Sequence, residues 1–139
     1  MGCVTERQIK ELLLRANEVR KNAYAPYSRF HVGASVLTSS GKVYQGCNVE
    51  NASYGLCICA ERNAIAAAIA AGERDFVALA VVGGDGEKPV TPCGACRQVM
   101  VEFAPELIVA MAGGAGIEKP LVKTAAELLP HYFIFEKEQ

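Results

Sequence analysis

The chain has 139 residues, 51% of them hydrophobic, which suits one compact domain over residues 1–139 with a real core and is too little for two. Lys and Arg total 14 against 15 Asp and Glu, a net charge of -1, so the broad positive field needed for a polynucleotide or an anionic membrane surface is missing. No run approaches the ~18 apolar residues of a membrane span, and Met1-Gly-Cys-Val-Thr-Glu-Arg7 carries charge where a secretory signal is apolar; a cytoplasmic protein acting on a small molecule, with no nucleic acid or membrane partner, is expected.

In chain order, Thr5-Glu-Arg-Gln8 is a capping-box pattern, and Ile9, Leu12, Leu13, Ala16 and Val19 recur at helical spacing to about Lys21. After the turn-forming Ala25-Pro-Tyr-Ser28, an extended stretch from Phe30 to Leu37, a turn at Ser39-Ser-Gly-Lys42 and a short strand from Val43 to Cys47 predict a hairpin, with His31 packed in its first strand. A helix is expected from about Cys59 to Ala71, stopping at Gly72, then a buried strand from Phe76 to Val82. Pro92 fits the first positions of a helix that starts near Cys93 and runs through Phe103, before a strand from Leu107 to Met111. Thr124-Ala-Ala-Glu127 repeats the capping-box pattern and opens a short helix ended by Pro130. Strands alternating with helices, with no repeat or linker, predict an α/β sandwich.

Of the 6 cysteines, four fall in two tight groups, Cys57-Ile-Cys59 and Cys93-Gly-Ala-Cys96. In an intracellular chain such groups read first as metal ligands or redox pairs. Both groups lie where helices begin, and a helix N-terminus favours the thiolate. Two such ends converging on one cation would give three thiolates at ~2.3 Å from zinc, with a water in the fourth position of an open catalytic site. Zinc-bound water is acidic enough to yield hydroxide near neutral pH.

Cys59-Ala-Glu61 followed by Pro92-Cys93-Gly-Ala-Cys96 resembles the paired signature of the cytidine deaminase family in its three-cysteine form. The resemblance extends over nearly the whole chain, through Pro26-Tyr-Ser-Arg-Phe-His-Val-Gly-Ala34, Gly46-Cys-Asn-Val-Glu-Asn-Ala-Ser-Tyr54, Gly94-Ala-Cys-Arg-Gln98 and Leu128-Leu-Pro130. It implies a three-layer α-β-α sandwich with a mixed sheet, one zinc per subunit held by Cys59, Cys93 and Cys96, and hydrolysis of cytidine and deoxycytidine to uridine and deoxyuridine in pyrimidine salvage. By the same resemblance Glu61 moves the protons, the Ala60 N–H meets the base carbonyl, Asn48 and Glu50 bind the ribose hydroxyls, and Phe30 packs on the nucleoside. Zinc with three thiolates is formally negative, which weakens its pull on water. Arg62 matches a family arginine that donates hydrogen bonds to the ligand sulfurs and offsets that charge. The family's small three-cysteine members are homotetramers whose active sites borrow residues from neighbours, so Phe133 is expected to stack on a neighbour's base, with Tyr132 able to share the role. The apolar helix Ala64–Ala71 calls for close packing on several faces.

Other readings stand beside this one. The four clustered cysteines suit a closed structural zinc site, and Cys93-Gly-Ala-Cys96 alone suits a redox pair. Cys3 and Cys47 read as small apolar residues, and His131 as a surface or interface residue. A deaminase of another aminopyrimidine, such as blasticidin S, shares the metal core but not the Asn48–Tyr54 segment. A silent zinc-bound interaction module would have no use for Glu61. A nucleotide deaminase would need phosphate contacts, which no Gly-rich loop or arginine cluster announces.

Overall fold

The computed structural model describes residues 4–137; Cys3 lies outside them. Its elements are α1 (Glu6–Val19), β1 (Val32–Thr38), β2 (Val43–Cys47), α2 (Ala60–Ala70), β3 (Phe76–Gly83), α3 (Gly94–Phe103), β4 (Ile108–Gly113), β5 (Leu121–Thr124) and α4 (Ala125–Leu128), with short 3-10 turns at Arg20–Asn22 and Tyr54–Leu56. The five strands form one mixed sheet in the order β2-β1-β3-β4-β5. Only β3 and β4 run parallel; the other neighbours are antiparallel.

Side-chain alternation along the strands sorts the two faces by size, because successive residues point to opposite sides. On one face Ala78, Ala80, Ala110 and Ala112 meet Leu12, Leu13 and Ala16 of α1. Small strand residues there let the helix lie close, and the Ser35 hydroxyl is buried because it donates to the Leu12 carbonyl at 2.6 Å. On the other face Val36, Leu79, Val81, Val109 and Met111 pack against Ala64, Ile65 and Ala68 of α2 and Cys96 and Met100 of α3. Helices therefore cover both faces, giving the three-layer α-β-α sandwich.

Both expected capping boxes are present, Thr5 with Gln8 and Thr124 with Glu127. Three features differ from the sequence reading. β1 begins at Val32, leaving Phe30 and His31 outside it. The Asn48 amide takes their place in the ladder: its Nδ2 donates to the Phe30 carbonyl and its Oδ1 accepts from the Val32 N–H, both at 2.9 Å. Pro92 precedes the N-cap of α3, which is Cys93, and so lies before the first helical position. Edge strand β5 has no counterpart in the sequence reading; its four residues are exposed or half-buried and carry no inward-outward alternation to announce them.

The topology places the site. α2 leads into β3 and α3 into β4, and these two strands are parallel. Helices returning antiparallel to parallel strands begin at the same end of the sheet, the carboxyl end of β3, where open α/β sheets bind ligands. Gly46 of β2 sets how closely α2 approaches: a Cβ there would collide with the Ala64 backbone nitrogen and lie 2.7 Å from the Ala60 carbonyl oxygen. Gly46→Ala is expected to displace the first turns of α2 and to cost roughly 2–3 kcal/mol of stability, at the upper end of overpacking effects. Urea unfolding measures this, and an unchanged midpoint would contradict the close approach.

Candidate metal centre and nucleoside site

Cys59 is the N-cap of α2 and Cys93 the N-cap of α3, while Cys96 lies in the first turn of α3. Neither N-cap side chain caps its helix, so both sulfurs are free to turn toward the gap between the two helix ends. Cys59 Sγ lies 3.7 Å from Cys93 Sγ, Cys93 Sγ lies 3.7 Å from Cys96 Sγ, and all three fall within 4.8 Å of one another. A zinc ion with Zn–S bonds of about 2.3 Å in tetrahedral geometry has sulfur–sulfur edges of about 3.8 Å. The two edges that meet at Cys93 are thus already at the spacing zinc requires, and three sulfur ligands would leave a fourth position of the tetrahedron open. Among the described residues Cys57 is not part of this cluster. Its Sγ accepts a hydrogen bond from the Asn51 N–H at 3.3 Å, so the closed four-cysteine arrangement is not formed.

The protonation of the cluster fits a cation site. Hydrogen bonding from Cys96, joined by Arg62 and Cys93, pulls the Cys59 thiol down to about 5 against the opposing effect of burial. The same Cys59 neighbour, together with burial and the nearby Glu61 charge, pushes Cys96 upward, so the proton the pair retains sits on Cys96. A cation entering here displaces that proton. Arg62, three residues after Cys59, donates from Nη2 to Cys59 Sγ at 3.5 Å. The sulfurs of Cys59 and Cys96 raise its pKa further and keep it charged. Its Nε is buried without a hydrogen-bond partner among the described residues, a cost that the attraction between guanidinium and thiolates offsets.

Glu61 follows one residue behind Ala60 in the first turn of α2 and is only 4% exposed. Burial pushes its carboxyl up to about 7, with the Cys59 charge adding to the rise while its own backbone N–H, Arg62 and Cys96 oppose it. A carboxyl so placed beside three thiols can hold or release a proton near neutral pH.

The residues expected to hold the nucleoside are more dispersed. Asn48 spends one donor and one acceptor on the Phe30–Val32 backbone, leaving a second N–H and a second lone pair on its amide. Glu50 Oε1 accepts from the Tyr27 and Ser28 N–H groups at 2.9 and 3.2 Å, and its Oε2 accepts from the Ser28 hydroxyl. The Ser28 hydroxyl bond is the main cause that holds this carboxyl below its ordinary range, against some opposition from burial. Glu50, Ser28, Tyr27, Tyr54 and Cys57 line a cleft of about 300 Å³, whereas Phe30 lines a separate cleft of about 510 Å³ with Arg29, Gly84 and Val90. The Phe30 ring leans on Gly84, where φ is +72° and a Cβ would come within 2.9 Å of the ring. Phe133 is 72% exposed, stacks on Phe135 at 6.4 Å and is not among the residues that line these two clefts, while Tyr132 packs against the larger core. His31 is half-buried outside the strand expected to hold it, and exposed His131 has φ +54°.

Two contributors are not legible as such in the sequence. Ser28 reads there as a turn residue inside a family-like segment, with no role of its own, although Pro26-Tyr-Ser28 places its hydroxyl and N–H to grip Glu50. Arg97 follows Cys96, but its guanidinium turns to the Pro92 and Leu128 carbonyls rather than to the sulfurs. No local pattern foretells the Leu128 partner, which is 31 residues away.

The family model for the "Cytidine and deoxycytidylate deaminase zinc-binding region" matches residues 6–112. A cytidine deaminase of Halalkalibacterium halodurans is 49% identical over 125 residues, covering 90% of this chain and 93% of that protein. A cytidine deaminase of Sporosarcina psychrophila is 45% identical, covering 90% of each chain. The crystal structure of the cytidine deaminase from Burkholderia pseudomallei superposes with a TM-score of 0.85 at 51% identity, covering 93% of this chain and 99% of that one. With three converging thiols on two helix ends and a matching fold, the chain belongs to the zinc-binding cytidine and deoxycytidylate deaminase family.

Proposed function

We propose that the protein is a zinc-dependent hydrolase that deaminates cytidine and 2′-deoxycytidine to uridine and 2′-deoxyuridine, consuming one water and releasing ammonia. The observation that carries this reading is the buried Glu61 carboxyl two residues beyond Cys59, where it feels Cys59 and Cys96 of a cluster of three converging sulfurs. Cys59, Cys93 and Cys96 hold one zinc per subunit, which when bound supplies Lewis acidity that lowers the pKa of water to about 7. Glu61 takes a proton from the attacking water and passes it to the pyrimidine ring nitrogen. After the C–O bond forms at C4, it delivers the second proton to the departing amino group, so the C–N bond breaks with loss of neutral ammonia. The Ala60 N–H, one of the first helix donors that lack an intrahelical partner, meets the base carbonyl. Asn48 and Glu50 use their remaining hydrogen-bonding capacity on the ribose hydroxyls, and Phe30 packs on the nucleoside.

The protein acts in pyrimidine salvage in the cytoplasm as a homotetramer, with Phe133 reaching a neighbour's site. Support for association comes from an apolar cleft of about 440 Å³ along α2 and α3, lined by Ile65, Ala66, Ile69, Ala70, Val99 and Phe103, and from the exposed Phe133, Ile134 and Phe135. Sedimentation equilibrium tests it; a monomer would remove the cross-subunit role of Phe133.

Arg62→Gln is expected to keep zinc but slow turnover by roughly ten- to a hundredfold, as loss of groups that tune metal ligands generally does. Undiminished turnover at equal zinc content would sink the charge-compensation argument. The activity itself is tested by following the loss of aminopyrimidine absorbance with cytidine, deoxycytidine, CMP and blasticidin S. Turnover of the two nucleosides supports the reading; zinc-loaded protein that leaves both untouched overturns it.

A further inference from the structure

Arg97 makes two bonds that do different things. Its Nε donates to the carbonyl of Pro92, the residue before Cys93, and its Nη1 donates to the carbonyl of Leu128, the last residue of α4, both at 2.7 Å. These lie at the short end of charge-assisted hydrogen bonds, and the rigid guanidinium fork fixes their relative direction. α4 has four residues, and its exit is closed internally by one long bond, from the Leu129 N–H to the Ala126 carbonyl at 3.2 Å, so a tie from outside the helix counts for its direction. Just beyond it, Leu129 and Tyr132 anchor on the larger core, His131 takes a left-handed turn, and Phe133 emerges into the open.

The geometry points to Arg97 as a positioning residue that aims Phe133 by tying the exit of α4 to the loop that carries Cys93. One guanidinium then keeps the metal loop and the aromatic tail in a fixed relation within each subunit. Lysine would not replace it, because an ammonium lacks the fork that serves both carbonyls in set directions. This rests on the reading of Phe133 as a nucleoside contact.

The chain has no tryptophan, so Phe133→Trp adds a lone fluorescent reporter to the holoenzyme. Adding Arg97→Gln is expected to leave zinc content unchanged, lower the anisotropy of the indole and roughly double its quenching by acrylamide, with Arg97→Lys restoring only part of the signal. Without the reporter, Arg97→Gln should raise KM for cytidine about tenfold, within the range of base–aromatic stacking, and change kcat less than about threefold. The same substitution on a Phe133→Ala background should barely move KM. An unchanged indole signal, or an equal KM effect without Phe133, would overturn the positioning role. If Arg97→Gln loses zinc, Arg97→Lys takes its place in each comparison, and the same two outcomes would overturn the role. Phe133→Ala with the parent KM would overturn the contact and the proposal together, a result distinct from failure of positioning alone.

Discussion

Glu61→Gln is expected to retain zinc at the parent level and to lose turnover of cytidine by on the order of 10²–10⁴-fold, the range of a general acid–base group. The substitution keeps the size and shape of a side chain that is 4% exposed, so packing around α2 should survive. What disappears is the capacity to carry a proton. The reaction needs one proton moved onto the ring and another onto the leaving amino group, and an amide does neither. Zinc content by atomic absorption, circular dichroism and steady-state kinetics on the same preparation separate these effects. Parent-like turnover in a zinc-loaded variant would overturn Glu61 as the proton carrier.

Cys96→Ala is expected to lose both zinc and measurable activity, whereas Cys57→Ser should keep both. Cys96 is buried and completes the sulfur triangle; two remaining thiols do not make a stable zinc site in competition with water and buffer. Cys57 is the internal control because it lies two residues before Cys59 yet bonds to Asn51. Dialysis of the parent protein against a chelator should reproduce the Cys96→Ala result and lower the thermal midpoint, since a ligand that binds only the folded state stabilises it. Readdition of zinc should reverse it. Loss of zinc on Cys57→Ser with Cys96→Ala still loaded would mean that the sulfurs at 3.7 Å are not the ligands.

Much of the candidate site is legible in the sequence because its chemistry is local. Two cysteine groups preceding helical patterns announce thiols at helix N-termini, and Cys59 and Cys93 are the N-caps of α2 and α3. Arg62 one turn beyond Cys59 falls on the same side of the helix, and its bond to the Cys59 sulfur follows from that spacing. The nucleoside residues are harder to read. Asn48 and Glu50 are held by the backbone of Phe30–Val32 and Tyr27–Ser28 respectively, so their side chains build the loop, and the ribose contacts proposed for them draw on what those bonds leave over. The retreat of β1 from Phe30 and His31 has the same origin: a side-chain amide displaces a strand partner from the neighbouring backbone groups.

By itself the amino-acid sequence determined what short-range physics can set: both capping boxes, the helix starts near Cys59 and Cys93, a buried strand from Phe76 to Val82, which the structure extends to Gly83, and the pairing of a carboxylate with a thiol two residues apart. Each depends on residues within a turn or two of one another. The tertiary structure alone decided the rest. Parallel β3 and β4 bring two helix ends to one edge of the sheet, Gly46 lets α2 close on β2, burial raises the Glu61 carboxyl, and Arg97 finds the Leu128 carbonyl. Those outcomes depend on the packing of segments tens of residues apart, where close packing and loss of solvent act on the assembled fold and leave no mark in any local pattern.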